Sequence, residues 1–118
     1  MNKRYTLKAA ESLRHASDIA DMLGHSYVGS EHLLIGLIQT EGSLASAVLI
    51  NNDVTEDKTI NLVYELIAPD SSIAIKDEVG YTPRLLLILD AAAKEAVRFK
   101  EKSIGTEHLL IALMKETE

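Results

Sequence analysis

Gly29-Ser30-Glu31-His32-Leu33-Leu34-Ile35-Gly36-Leu37 returns later in the chain as Gly105-Thr106-Glu107-His108-Leu109-Leu110-Ile111-Ala112-Leu113, at an offset of 76 residues. The same offset, carried outward from Tyr5/Tyr81 to Gly42/Glu118, pairs 38 positions. Twelve of them are identical, and seven of the twelve fall in the quoted block. Chance does not readily concentrate identities at one fixed spacing, so the chain reads as an internal duplication of one supersecondary unit.

The unit is helical. After Thr6 the apolar positions Ala9, Ala10, Leu13, Ala16, Ala20 and Leu23 recur at spacings of three and four, with Thr6 as N-cap and Gly24 as stop. Gly29-Ser30 opens a second helix, with Ser30 as its cap, Glu31 on the positive end of its dipole and an apolar stripe of Leu33, Leu34, Leu37 and Ile38. Gly42-Ser43 leads into a short third helix with Leu44, Ala45, Val48 and Leu49. Asn51-Asn52-Asp53 turns the chain into a fourth, capped by Thr55, with Ile60, Val63 and Ile67 facing inward and Pro69 ending it. Ile73 and Ile75 alternate like a strand, but with no partner segment the stretch reads as loop. Thr82 caps a fifth helix with Pro83 at its first position and Leu85, Leu86, Leu89, Ala92, Ala96 and Phe99 on its buried face. Gly105-Thr106 opens the sixth.

The predicted fold is therefore all-α. It is a pseudo-twofold duplicated helical repeat with four helices in repeat one (5–67), a linker (68–80) and two helices in a truncated repeat two (81–118). Ala16, Ala20, Ala92 and Ala96 match across the repeats, and alanines spaced by four let helix axes approach closely; they read as packing of the two repeats around the twofold axis. A complete second unit would need about 25 further residues. The chain is then a cut fragment or a degenerate repeat, and Leu109, Leu110 and Leu113 are expected to lack part of their cover.

Composition narrows the function classes. One domain of 118 residues with 47% apolar and 25% charged residues can bury a core without staples. No apolar run approaches the roughly 18 residues that cross a bilayer, and Met1-Asn2-Lys3-Arg4 leads into no apolar signal core, so no membrane role and a cytoplasmic location are expected. A net charge of −6 and only five aromatic residues argue against nucleic-acid binding. The absence of cysteine excludes disulfides, thiolate zinc and a cysteine nucleophile.

Enzymatic constellations are missing. No phosphate loop, dinucleotide fingerprint or serine elbow occurs. Glu31-His32 and Glu107-His108 are adjacent pairs, and neighbours on a helix point about 100° apart, so one pair does not easily share a metal. The two histidines read as packing or capping residues, with no catalytic residue and no metal site assigned. The rival from another class is a small helical hydrolase or metal enzyme built on His32, His108 and the acids; a stoichiometric bound metal in the purified protein would favour it.

Two copies of an aromatic-Thr-x-(Lys/Arg) helix start, each followed by Gly-(Ser/Thr)-Glu-His-Leu-Leu-Ile-x-Leu, resemble the Clp N-terminal domain, the double-repeat module at the front of Clp-type AAA+ unfoldases. Leu23-Gly24-His25-Ser26-Tyr27-Val28-Gly29-Ser30-Glu31-His32-Leu33-Leu34 is most similar to the ClpC branch, and the resemblance runs from Tyr5 to Met114. It implies a non-catalytic docking module that receives substrates and adaptors (MecA-like) and passes them to the ATPase ring and the ClpP protease. It implies no cofactor in the domain itself, ATP belonging to the parent protein. In the ClpC branch it further implies a receptor for phosphoarginine. The family's ligand-binding Glu maps to Glu31 and Glu107, and the Thr opening each repeat to Thr6 and Thr82.

That assignment has a physical basis. A helix N-terminus offers free N–H groups to the phosphate, and a carboxylate offers two acceptors to the guanidinium. Hydroxyls of Ser30 or Thr106, and of Thr6 or Thr82, would complete the cradle. The same acids are also accounted for by their favourable interaction with the helix dipole alone. Lys100-Glu101-Lys102-Ser103 stands where repeat one has Gly24-His25-Ser26-Tyr27, Leu85 stands where the family commonly has a small residue, and Ser30 stands for the more usual Thr. The alternative within the binding class is a ClpA- or ClpB-like or free-standing N-domain that takes adaptors or exposed apolar segments without phosphoarginine.

Overall fold

The computed structural model describes residues 3–66 and 80–116. It is all-helical, in the predicted order: α1 Leu7–Met22, α2 Ser30–Gln39, α3 Leu44–Asn51, α4 Glu56–Leu66, α5 Pro83–Arg98 and α6 Thr106–Glu116. The linker 68–79, the end of the fourth helix at Ile67 and Pro69, the side chain of Val63 and the Ile73/Ile75 segment lie outside the described residues.

The first helix of each repeat starts alike. Thr6 Oγ1 accepts the Ala9 N–H at 3.1 Å, and Thr82 Oγ1 accepts the Leu85 N–H at 3.1 Å. Both helices end in the left-handed region, at Gly24 (φ 78°) and Lys100 (φ 60°), so a lysine adopts a conformation that favours glycine. The second helices start differently from expectation. Their caps are the glycines, and Ser30 and Thr106 are the first helical residues, so Ser30 is not a cap.

Within each repeat the first helix packs on the second. A Cβ on Gly36 would collide with the Ser12 carbonyl oxygen and reach 3.0 Å from the Ala16 nitrogen, so α1 and α2 approach to backbone contact there. This corrects the reading of the alanines. Ala16, Ala20, Ala92 and Ala96 are all buried, but among the described residues α1 and α5 do not pack on each other. The two repeats meet through α2 and α6, with α3 and α1 also on α6 and α5 on α2. One core unites Leu33 and Leu37 with Leu85, Ile88 and Leu109.

The expected exposure of the α6 leucines is wrong. Leu109, Leu110 and Leu113 are 0%, 6% and 4% exposed, because α2 and α3 of repeat one cover α6 across the pseudo-twofold. The uncovered surface lies elsewhere. In repeat one, Ile60 of α4 packs on a second layer of Ile19, Leu23 and Ile35. The matching residues of repeat two are Glu95, Phe99 and Ile111, and of these Glu95 is buried, Ile111 half-buried and Phe99 exposed. Phe99, predicted to be buried, is 54% exposed, and Met114 is 60% exposed where its counterpart Ile38 is buried. Leu86, Leu44 and Val48 also face outward. Glu95 occupies the place of Ile19 by pairing with Lys115 Nζ at 2.6 Å and Arg98 at 3.5 Å, and the Lys115 hydrogen bond holds its carboxyl below the usual range.

Candidate functional site

Gly29 has no side chain with which to cap α2, so the cap comes from the other direction. His32 Nδ1 accepts the Gly29 N–H at 2.8 Å, and His108 Nδ1 accepts the Gly105 N–H at the same distance. This is the backward half of a capping box, with imidazole in the place of the usual Glu or Gln. The histidines are therefore spent on the helix starts, and the sequence carries the signal: a Gly-x-x-His spacing at each helix start.

The cap frees the glutamate. A Cβ on Gly29 would sit 2.5 Å from Glu31 Oε1, and one on Gly105 would sit 2.5 Å from Glu107 Oε1. Each carboxylate thus folds back over its glycine, beside the open N–H groups of the helix start. Neither has an ion-pair partner among the described residues.

The threonines arrive by exchange between the repeats. Thr6 N–H donates to the Ile104 carbonyl at 2.9 Å, and Ile104 N–H donates to the Arg4 carbonyl at 2.7 Å. In the mirrored arrangement, Val28 N–H donates to the Gly80 carbonyl at 2.9 Å, and Thr82 N–H donates to the Val28 carbonyl at 3.0 Å. Two short parallel bridges, Tyr5 to Ile104 and Val28 to Tyr81, tie each repeat's opening to the other's second helix. Thr6 therefore belongs with Glu107. They line one cavity of about 390 Å³, together with Lys100, Lys102, Ser103 and His108. Thr82 is bridged beside Val28, three residues before Glu31. Sequence spacing alone suggested no such crossing.

One of the expected cradle groups stands apart. Thr106 is buried with its hydroxyl turned toward α3, where it meets the Ala45 N–H at 3.4 Å, so it does not line the cavity. Ser30 is half-buried at the first position of α2.

The two sites are not equivalent. In repeat one the buried rings of His25 and Tyr27 stack at 5.3 Å, nearly parallel, and both meet His32 edge-on. In repeat two those positions are Glu101 and Ser103, and the space stays open. His108 is flanked instead by the Phe99 ring at 6.2 Å. Burial, with His25 adding to it, pushes His32 down to about 4, so it is a neutral acceptor at physiological pH. Among the described residues no single helix is long and apolar enough to cross a membrane.

Comparison with known proteins shows the family and the fold. The family model for the Clp repeat (R) N-terminal domain matches residues 4–118. The ATP-dependent Clp protease ATP-binding subunit ClpC of Staphylococcus aureus (strain USA300) is 38% identical over 98% of this chain, and that of Staphylococcus epidermidis is 36% identical over the same share. The chain spans only 14% of the length of these relatives. In fold it resembles the N-terminal domain of ClpD from Arabidopsis thaliana (TM-score 0.76, 20% identity, 93% of this chain and 75% of that one). It also resembles the Hsp104 N-terminal domain from Candida albicans (TM-score 0.73, 20% identity, 98% and 76%). By the family match across nearly its whole length and by its ClpC-type relatives, the chain belongs to the Clp repeat N-terminal domain family.

Proposed function

We propose that this domain is a non-catalytic docking module of a ClpC-like AAA+ unfoldase, receiving protein substrates and adaptors of the MecA-like kind for ATP-dependent unfolding and ClpP proteolysis in the cytoplasm. ATP serves the parent ring, and the domain itself needs no cofactor. Within the module, we assign phosphoarginine recognition to the Thr6–Glu107 cavity.

One observation carries the assignment: the cross-repeat bridge sets a hydroxyl and an unpaired carboxylate on one open cavity at a helix start. Glu107 accepts from the guanidinium N–H groups, a charge-assisted pairing. Thr6 Oγ1 already accepts from Ala9, which leaves its O–H to donate to a phosphate oxygen. Lys100 and Lys102 on the rim add positive charge for the phosphate.

Titration calorimetry with free phosphoarginine, beside arginine and inorganic phosphate, tests this. Binding of phosphoarginine alone, lost in Glu107→Ala, is expected. No heat with a folded domain would remove the phosphoarginine assignment and leave the docking of unmodified segments, the reading that the outward-facing Phe99 and Met114 favour.

A further inference from the structure

A groove lies next to the Thr6–Glu107 cavity, along α5. It has a volume of about 680 Å³ between the N-terminal segment and the C-terminal half of α5. Ala93, Ala96, Val97 and Ile104 give it an apolar floor, and Glu101 and Lys102 line both spaces, so the groove and the cavity are neighbours.

Its charge is opposite to that of the chain. Lys3, Arg4, Lys94, Lys100 and Lys102, five of the chain's 12 basic residues, line these two spaces on a domain with net charge −6. Three acids accompany them there, Asp90, Glu101 and Glu107, and Asp90 is held by Lys3 at 2.6 Å. Arg4, Lys100 and Lys102 make no ion pair among the described residues, and Lys94 joins Lys3 in the positive charge that lowers Asp90. A cationic rim over an apolar floor asks for a ligand with carboxylates and aliphatic side chains together. Bases would find no exposed ring to stack on, since the groove lining holds no aromatic residue.

We propose that this groove docks the polypeptide flanking the side chain held at the Thr6–Glu107 cavity, and that it selects extended segments carrying Asp or Glu beside an aliphatic residue. The inference rests on the docking function above and adds a sequence preference to it.

The test compares two fluorescent peptides with the same central phosphoarginine, one with Asp/Leu flanks and one with Gly/Ser flanks, by polarisation on the whole domain. The acidic peptide is expected to bind about tenfold tighter at low salt, equivalent to about 1.4 kcal/mol. The advantage should shrink as salt screens it. Arg4→Glu with Lys94→Glu should abolish the advantage, with a smaller loss for the Gly/Ser peptide than for the acidic one, and Lys94→Gln should give a smaller loss still, with helicity checked by circular dichroism. Equal binding of both peptides, or an advantage that survives charge reversal, would overturn the proposal. So would a single-stranded DNA of equal charge that competes as well as the acidic peptide, since that marks a general polyanion surface. If free phosphoarginine does not bind, the cavity assignment falls separately. The unmodified Asp/Leu peptide then decides the groove: binding lost on charge reversal supports it, and absence of binding refutes it.

Discussion

Nδ1 of His25 lies 2.6 Å from Nε2 of His32, and the contact fixes the proton on the second ring. His32 Nδ1 already accepts the Gly29 N–H, so its proton must sit on Nε2 and be donated to His25. One neutral imidazole thus holds the start of α2 and the aromatic plug of repeat one. Repeat two keeps the first duty and drops the second, since Glu101 replaces His25.

The first prediction concerns pH. His32 is pushed down to about 4 from 6.5, so in that interval the unfolded chain binds the proton that the folded chain refuses. Stability from this group is fully present above 6.5 and is lost as pH falls toward 4, by on the order of 1–3 kcal/mol. Thermal melts across this range should show Tm of the natural protein falling more steeply than that of His32→Asn. Parallel curves would assign the acid sensitivity to other groups.

The second prediction concerns the inequality of the two sites. Removing a charge-assisted hydrogen bond costs about 1.5–3 kcal/mol, so Glu107→Ala should weaken phosphoarginine binding at least tenfold. Glu31→Ala should change it less than about twofold, because the His25–Tyr27 stack stands where repeat two has Glu101 and Ser103 on its open cavity. Neither should shift stability beyond about 0.5 kcal/mol, since both acids are half-buried and unpaired. Calorimetry on the two variants decides it, and equal losses would show that the rings yield to ligand.

The third prediction tests the helix contact at Gly36. A methyl there meets the carbonyl of Ser12 and the amide of Ala16, both backbone atoms that cannot swing aside. Gly36→Ala should cost about 1–3 kcal/mol in urea unfolding, although alanine is the better helix former. Its counterpart is already Ala112, fully buried, so the approach of α5 and α6 must be wider at that level. A stabilised Gly36→Ala would refute the close approach.

Much of this was legible in the residues. The repeated block and the threes-and-fours spacing marked six helices, and Thr6 and Thr82 were readable as caps because a hydroxyl before an apolar period has one local use. What sequence did not carry was which repeat supplies which part. The exchange of Thr6 to Ile104 and of Thr82 to Val28 is a long-range backbone pairing, and no side-chain pattern encodes it. Of the four alanines only Ala16 stands at a close helix approach, on Gly36 of α2, and the pattern could not name that partner helix. The α6 leucines misled for the same reason: counting missing helices within repeat two ignored that α2 and α3 of repeat one lie over them.

That corrected account of cover yields the fourth prediction. Leu23 and Phe99 occupy matched positions at the ends of α1 and α5, but only Leu23 lies in a layer sealed by Ile60 of α4. Leu23→Ala empties a packed space and should cost about 2–4 kcal/mol in urea unfolding. Phe99→Ala removes a larger side chain from a site that is 54% exposed. It forfeits the ring contact with His108 at 6.2 Å, the Arg98 guanidinium at 5.7 Å and the burial of less than half of the ring, which together should cost less than about 2 kcal/mol. The smaller residue should therefore be the more costly to lose, the reverse of the order that side-chain size alone dictates. Equal or inverted costs would mean that repeat two has cover over Phe99 in solution, and a sedimentation run on the natural protein would then show whether a second copy provides it.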